Sequence, residues 1–365
     1  MAQKFQNRIT WIDNAKAIGI ILVFYGHIIE RFYNAGYNTV FSQYKFIYSF
    51  HMILFFFVAG FFLHHNQRCT ANFFLKILYQ RMLIVVLFSL LCLPFWLFHY
   101  HYFDIKNIVS FLIKTTFNYL KGIPTLNWPT WFLVCLFTTE IYTAIVVPKI
   151  KSKSFLIVIA IITLSAGLKL TKMINAFNPM YIPDNLLNYS IWFLPEATVA
   201  FGFYILGYIT FKWINVLSSQ KALLLYGLFI ASAFLTLIFC FNNVPIGNKK
   251  FVVIISLSQH GDSLYFIFAA LWGTFMCLFL AMVIPQFKIL KFIGQNTLTL
   301  MGLNGLFFHF INSKMIKLIC PRDNSVVITF YAIFISIISI ALCCLAIAFF
   351  STVSTLYLSK KRGVL

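Results

Sequence analysis

Acidic side chains are scarce in this chain. Its 365 residues include only 8 Asp and Glu, against 28 Lys and Arg. Charged residues of both signs make up 10% of the sequence, where a soluble domain carries about a quarter. A soluble fold of this length needs a charged coat, and 36 charges, 28 basic plus 8 acidic, do not supply one. With 61% hydrophobic residues and 45 Phe, the solvent for most of the chain is a bilayer. A disulfide framework is also lacking. There is no CxxC pair, and Cys92, Cys135, Cys240, Cys277, Cys343 and Cys344 lie in or beside apolar runs, where they read as small packing residues. No metal site is expected. A cleavable leader is not expected either, because the first apolar stretch, Ile18 to Ile29, follows Asp13 and Lys16 and has no small-residue cleavage site. No internal repeat is visible, which removes the usual sign of an inverted-repeat transporter.

The net charge of +20 does not point to nucleic acid. The basic residues are spread through loops between apolar runs and are not gathered on one module. They suit topology signals and contacts to anionic lipid or an anionic cofactor.

What the sequence has in abundance is apolar runs long enough to span hydrocarbon, about 20 residues each. They predict an all-α, polytopic helical bundle of about ten transmembrane helices. The spans fall at 11–31, 46–64, 77–98, 128–147, 154–170, 190–211, 222–241, 262–283, 296–312 and 326–350. One membrane domain over 1–365 is expected, with no appended soluble domain, and an oligomer is compatible with it. Threading these spans from a cytoplasmic N-terminus leaves 16 of the 28 basic residues inside. Lys4, Arg8, Arg68, the short loop around Lys149, Lys151 and Lys153, and the tail Lys360–Arg362 are among them. Both termini are therefore predicted to be cytoplasmic. The longest outer loop, about 99–127, contains an amphipathic stretch, 108–120, suited to lying along the membrane surface. Other outer loops fall at about 171–189 and 242–261.

Ionisable groups within a span are costly and usually functional. The first span holds Asp13, Lys16, His27 and Glu30. At 100° per residue, Lys16 and His27 differ by about 20° after three turns, so all four share one stripe, with about 16 Å from Lys16 to His27. Such a stripe must face a cavity or other polar groups. Asp13 and Lys16 also suit an interfacial ion pair, and a neutral His can be a satisfied core residue. The functional reading makes His27 a general base. His51, near the outer end of the second span, lies at a similar depth. Lys76 and Arg81 open the third span on the cytoplasmic side. Trp131 opens the fourth, which contains Glu140, and Glu196 lies in the sixth. The ninth runs from Gly294 through Asn304 to His309. Its Asn, Thr and Gly residues also suit close helix packing.

Together these segments resemble the acyltransferase-3 family of integral membrane O-acyltransferases, in particular its fucose 4-O-acetylase-like branch. That family has an Arg or Lys followed by ten residues and a His, met here by Asp13, Lys16 and His27. Phe50-His51-Met52 to Gly60 resembles its F-H-M-P-x-F-F-x-x-(S/A)-G, and Trp131-Phe132-Leu133 its Trp-Phe-Leu. The closing pattern, G-x-x-(S/T)-L-x-x-Y-x-x-H, is matched to Gly294–His309. Lys16 stands where many members have Arg, Ile53 replaces a Pro, and only Arg81 remains of an Arg-x-x-Arg pair.

The resemblance implies transfer of an acetyl group from cytoplasmic acetyl-CoA to a hydroxyl of a cell-surface or lipid-linked glycan. The setting would be a bacterial cytoplasmic membrane. Catalytic roles would fall to His27, Lys16, Asp13 and His51. Arg81, Lys76 and Lys16 would hold the donor's phosphates. Glu140, Asn304, His309 and Trp131 would orient the acceptor or stabilise the oxyanion. The rival is a transporter or flippase of a glycolipid or anionic solute, in which the same Asp, Glu and His form a proton relay.

Overall fold

The computed structural model describes residues 9–100, 104–177, 190–245, 250–285, 287–319 and 322–361. Lys4, Arg8 and Arg362 of the charge pattern, and parts of two outer loops, 178–189 and 246–249, lie outside them. Among the described residues the chain is helical, with one isolated bridge, Ile254 to Gln259, in place of any strand.

The helices in order are α1 (Thr10–Asn34), α2 (Phe41–Tyr48), α3 (His51–Gly60), α4 (Ala71–His99), α5 (Ile105–Leu120), α6 (Trp131–Val146), α7 (Lys153–Phe177) and α8 (Leu194–Leu217). They continue with α9 (Ala222–Asn242), α10 (Ser263–Val283), α11 (Lys288–Gln295), α12 (Thr297–Leu306), α13 (Asn312–Ile319) and α14 (Ser325–Lys361). A π-helical turn, Phe307–Ile311, joins α12 to α13. Eight segments are long and apolar enough to cross a membrane: α1, α4, α9 and α10, together with Trp128–Lys149, Lys153–Ile174, Ile191–Leu217 and Ser325–Thr352. The chain is thus a polytopic helical bundle. α1 and α6 are mostly buried, whereas α4, α9 and α14 turn most of their surface outward, as lipid-facing helices do.

Two expected spans, 46–64 and 296–312, are interrupted. At the first, the Ser49 hydroxyl donates to the Phe46 carbonyl at 2.7 Å, and Phe50 leaves the helical region at φ −143°. The chain restarts at His51 as a ten-residue helix. At about 1.5 Å per residue, α3 covers only half the hydrocarbon thickness. Broken backbone is tolerated at membrane depth where protein surrounds it, and nine of the ten residues of α3 are buried. At the second break, Asn296 turns its side chain back to the Phe292 carbonyl at 2.8 Å, ending α11.

Small residues hold these short pieces in place. A Cβ on Gly60 would lie 2.0 Å from the Tyr204 carbonyl oxygen, and one on Gly207 would lie 2.0 Å from that of Phe57. α3 and α8 therefore touch backbone to backbone, from both sides. Gly294 of α11 meets the Asp13 carbonyl of α1 in the same way, at 2.0 Å. The amphipathic stretch of the long loop forms α5. Its apolar stripe of Ile105, Val109, Leu112, Ile113, Phe117 and Leu120 is exposed, and Thr115 and Asn118 are buried. This is the face of a helix lying in a lipid interface.

Candidate functional site

α1 runs unbroken through the bundle, so the polar stripe keeps the register expected from 3.6 residues per turn. Each member meets protein. Asp13 is buried, Lys16 Nζ lies 4.7 Å over the Phe62 ring at the end of α3, and Glu30 accepts the Tyr48 hydroxyl at 2.7 Å. Between them, His27 Nδ1 is 2.9 Å from the side-chain amide of Asn304 on α12. The His27 ring packs at 4.8 Å from Phe308. Though crowded, His27 is half-buried.

The orientation of the Asn304 amide decides what His27 can do. Its two ends have the same shape, and either can face Nδ1. With the nitrogen toward the ring, Nδ2 donates to Nδ1, Nε2 keeps the proton, and Oδ1 stays buried with no partner. With the oxygen toward the ring, Nδ1–H donates to Oδ1 and the Nε2 lone pair is free to take a proton. The flip leaves Nδ2 in that partnerless place instead, so each arrangement orphans one end of the amide at a cost of about 1–3 kcal/mol. The second arrangement gives the tautomer a general base requires.

Two further histidines gather around it, and their tautomers follow from their partners. His51 Nδ1 lies 2.9 Å from the Ile47 carbonyl, which only accepts, so Nδ1 carries the proton and Nε2 keeps its lone pair. His309 Nε2 accepts the Trp128 backbone N–H at 3.0 Å, which ties the π-helical turn to the loop before α6. Its charge-free ring is a structural acceptor, packed 5.0 Å from Trp96. His51 and His309 both lie within electrostatic reach of His27, so α1, α3 and the π-helical turn bring three expected site residues and Asn304 into one cluster.

The expected cofactor residues do not form one cradle. Arg81 of α4 makes a two-toothed ion pair with Glu140 of α6, Nε to Oε2 at 3.1 Å and Nη2 to Oε1 at 2.6 Å. Its charge is already taken by an acid that the sequence reading assigned to the acceptor. Lys76, five residues earlier on α4, is exposed and about 140° around the helix from Arg81. Of the three cations, Lys76 stands open to a phosphate, and Lys16 is held on the Phe62 ring. Trp131 is buried against Phe193 at 5.7 Å, as wall and not as contact to His27.

Three features escaped the sequence reading. The first is Arg31, one turn beyond His27. Its Nη2 donates to the Phe308 carbonyl at 3.0 Å, and its guanidinium lies 4.4 Å over the Phe308 ring. An Arg at the end of an apolar helix reads as a boundary, and nothing in its spacing marks it out. The second is a count. The closing pattern has its His ten residues after its Gly, which from Gly294 falls on Asn304; His309 lies five further on. The residue at the pattern's His position is thus the one that touches His27. The third is the pair of partners of Glu196 at the start of α8, a residue the sequence did mark, which accepts the hydroxyls of both Ser190 and Ser258. Ser258 sits in the left-handed region at φ 59°, in a loop folded back into the bundle. That loop sends Val253 and Ile255 into the apolar core shared with Trp131 and Phe24.

Residues 9–349 match the family model described as an acyltransferase domain, that of the acyltransferase-3 family. No curated protein and no solved structure matches the chain.

Proposed function

The chain belongs to the acyltransferase-3 family and is a multi-pass membrane acyltransferase, and we propose that it moves an acetyl group from cytoplasmic acetyl-CoA to a hydroxyl of a cell-surface or lipid-linked glycan. The membrane would be the bacterial cytoplasmic membrane, with both termini inside. The fucose 4-O-acetylase-like resemblance supports a sugar acceptor.

The observation that carries the reading is the His27–Asn304 contact at 2.9 Å in a bundle centre that remains partly accessible. His27 Nε2 takes the proton from the acceptor hydroxyl while its oxygen attacks the thioester carbonyl carbon. The tetrahedral centre collapses, the carbon–sulfur bond breaks, and the thiolate of coenzyme A leaves to be protonated in turn. Asn304 acts through His27 by fixing its tautomer. His51 Nε2, whose lone pair is uncommitted in the neighbouring imidazole, accepts a hydrogen bond from the acceptor sugar. Lys76 and Lys16 attract the donor's phosphates on the cytoplasmic side. The Arg81–Glu140 pair holds α4 to α6 beside them.

The test uses purified protein in liposomes with radiolabelled acetyl-CoA and a crude glycan acceptor. Transfer of label by the wild type and its loss in His27→Ala, with membrane insertion intact, is the expected result. Undiminished transfer by His27→Ala removes the base. Absence of both transfer and acetyl-CoA binding in the wild type removes the donor assignment. Mass spectrometry of surface glycans from cells with and without the protein identifies the acceptor by the mass of one acetyl group.

A further inference from the structure

Arg31 has no role in the reaction just described, yet the structure holds it beside the reacting centre. It follows His27 by one turn of α1. Its guanidinium lies 4.4 Å from the Phe308 ring centre, and that centre lies 4.8 Å from the centre of the His27 ring. The two distances together put the guanidinium no more than 9.2 Å from the imidazole centre.

Its bonding is incomplete. Of five N–H donors, one is used on the Phe308 carbonyl, and Nε is buried with no partner. Among the described residues no carboxylate lies within ion-pair distance of it; the adjacent Glu30, which accepts the Tyr48 hydroxyl at 2.7 Å, acts on it only through the longer-range field. Arg31 as a whole is half-buried, so its other N–H groups stay open to an anion that completes the fork. Topology does not account for it, since Arg31 stands at the end of α1 that the charge pattern assigns to the outside. On that orientation the outer segments carry 12 basic residues against 6 acidic ones, a balance that attracts anions to this side.

We propose that Arg31 is a specificity residue for an anionic acceptor: a sugar that bears a carboxylate or phosphate on the same ring as the accepting hydroxyl or on its linkage. The planar fork grips the two oxygens of the anion, and the Phe308 ring fixes the plane of the fork. The hydroxyl is thereby set against His27. This rests on the proposed sugar acceptor, but its first readout does not need acetyl transfer.

Binding of glucuronate, glucose 1-phosphate and glucose to the protein in detergent, without acetyl-CoA, is followed by intrinsic tryptophan fluorescence. The wild type is expected to bind the two acids at least about tenfold more tightly than glucose. Arg31→Gln brings the ratio close to one, and Arg31→Lys leaves it in between. The same ratios are then read in kcat/KM for acetylation. Equal binding of acid and neutral sugar by the wild type overturns the proposal. So does an Arg31→Gln protein in which all three sugars weaken in proportion, which marks a structural role. Acid-selective binding lost in Arg31→Gln but without any acetyl transfer upholds the anion site and overturns the acyl-transfer reading instead. A preference for glucuronate over the phosphate assigns an acidic polysaccharide, and the reverse order assigns a phosphate-linked sugar.

Discussion

His27 on α1 and Asn304 on α12 meet at 2.9 Å across 277 positions of sequence. The contact joins the polar stripe of the first helix to the interrupted helix that follows α11, and it fixes which imidazole nitrogen is free. Asn304→Ala is expected to lower kcat by roughly a hundredfold, with little change in KM for acetyl-CoA, and His27→Ala by at least as much. Asn304→Asp keeps an acceptor at Nδ1 and should retain more activity than the Ala variant. Steady-state kinetics in liposomes decides this. Equal activity of Asn304→Ala and wild type would falsify the positioning role.

The Arg81–Glu140 pair is a structural brace. Removing one partner leaves a partly buried charge alone, so Arg81→Gln or Glu140→Gln should each destabilise by about 3 kcal/mol. The double variant should recover most of that loss. A double-mutant cycle by thermal unfolding in detergent measures the coupling. If the double variant is as stable as wild type but has lost acetyl-CoA affinity, Arg81 serves the donor as well as the brace.

The glycine contact between α3 and α8 has no room for a methyl group. Gly207→Ala drives a carbon into the Phe57 carbonyl and should cost about 3 kcal/mol or more. Gly227, whose added Cβ would meet nothing within 4 Å, should accept Ala freely. Comparing the yields of folded protein by fluorescence-detected size exclusion tests both.

Stability should also fall in mild acid, in part through His260 in the loop before α10. Burial pushes its imidazole down to about 4 from the ordinary 6.5, with the Lys172 charge adding to the effect and the hydrogen bond to the Ser258 carbonyl opposing it. A folded value below the unfolded one means that the unfolded chain takes up the proton first. The contribution is therefore complete above pH 6.5 and is lost as the pH falls towards 4, by up to about 3 kcal/mol. His260→Phe, which preserves the edge contact with Phe266, should flatten the fall in melting temperature between those values. A slope as steep as that of the wild type would locate the effect elsewhere.

How much of this was legible in the sequence follows from the physics of each signal. The stripe on α1 was legible because an ionisable side chain in an apolar run is rare and helical spacing aligns it. The bundle was legible from run length alone. The break at Phe50 was not, since the apolar run continues through it and no Pro or Gly marks it. The same holds for the π-helical turn at Phe307–Ile311. The Arg81–Glu140 partnership joins residues 59 apart, and no local pattern encodes it. Arg31 was hidden because its role depends on Phe308, far along the chain.

The reciprocal contact of Gly60 with Tyr204 and Gly207 with Phe57 also has a mechanical meaning. Two backbones touching at two points cannot slide or roll past each other, so α3 and α8 act as one stiff strut carrying His51 at its tip. Any movement that opens the bundle at His51 must carry this strut as a unit or flex elsewhere.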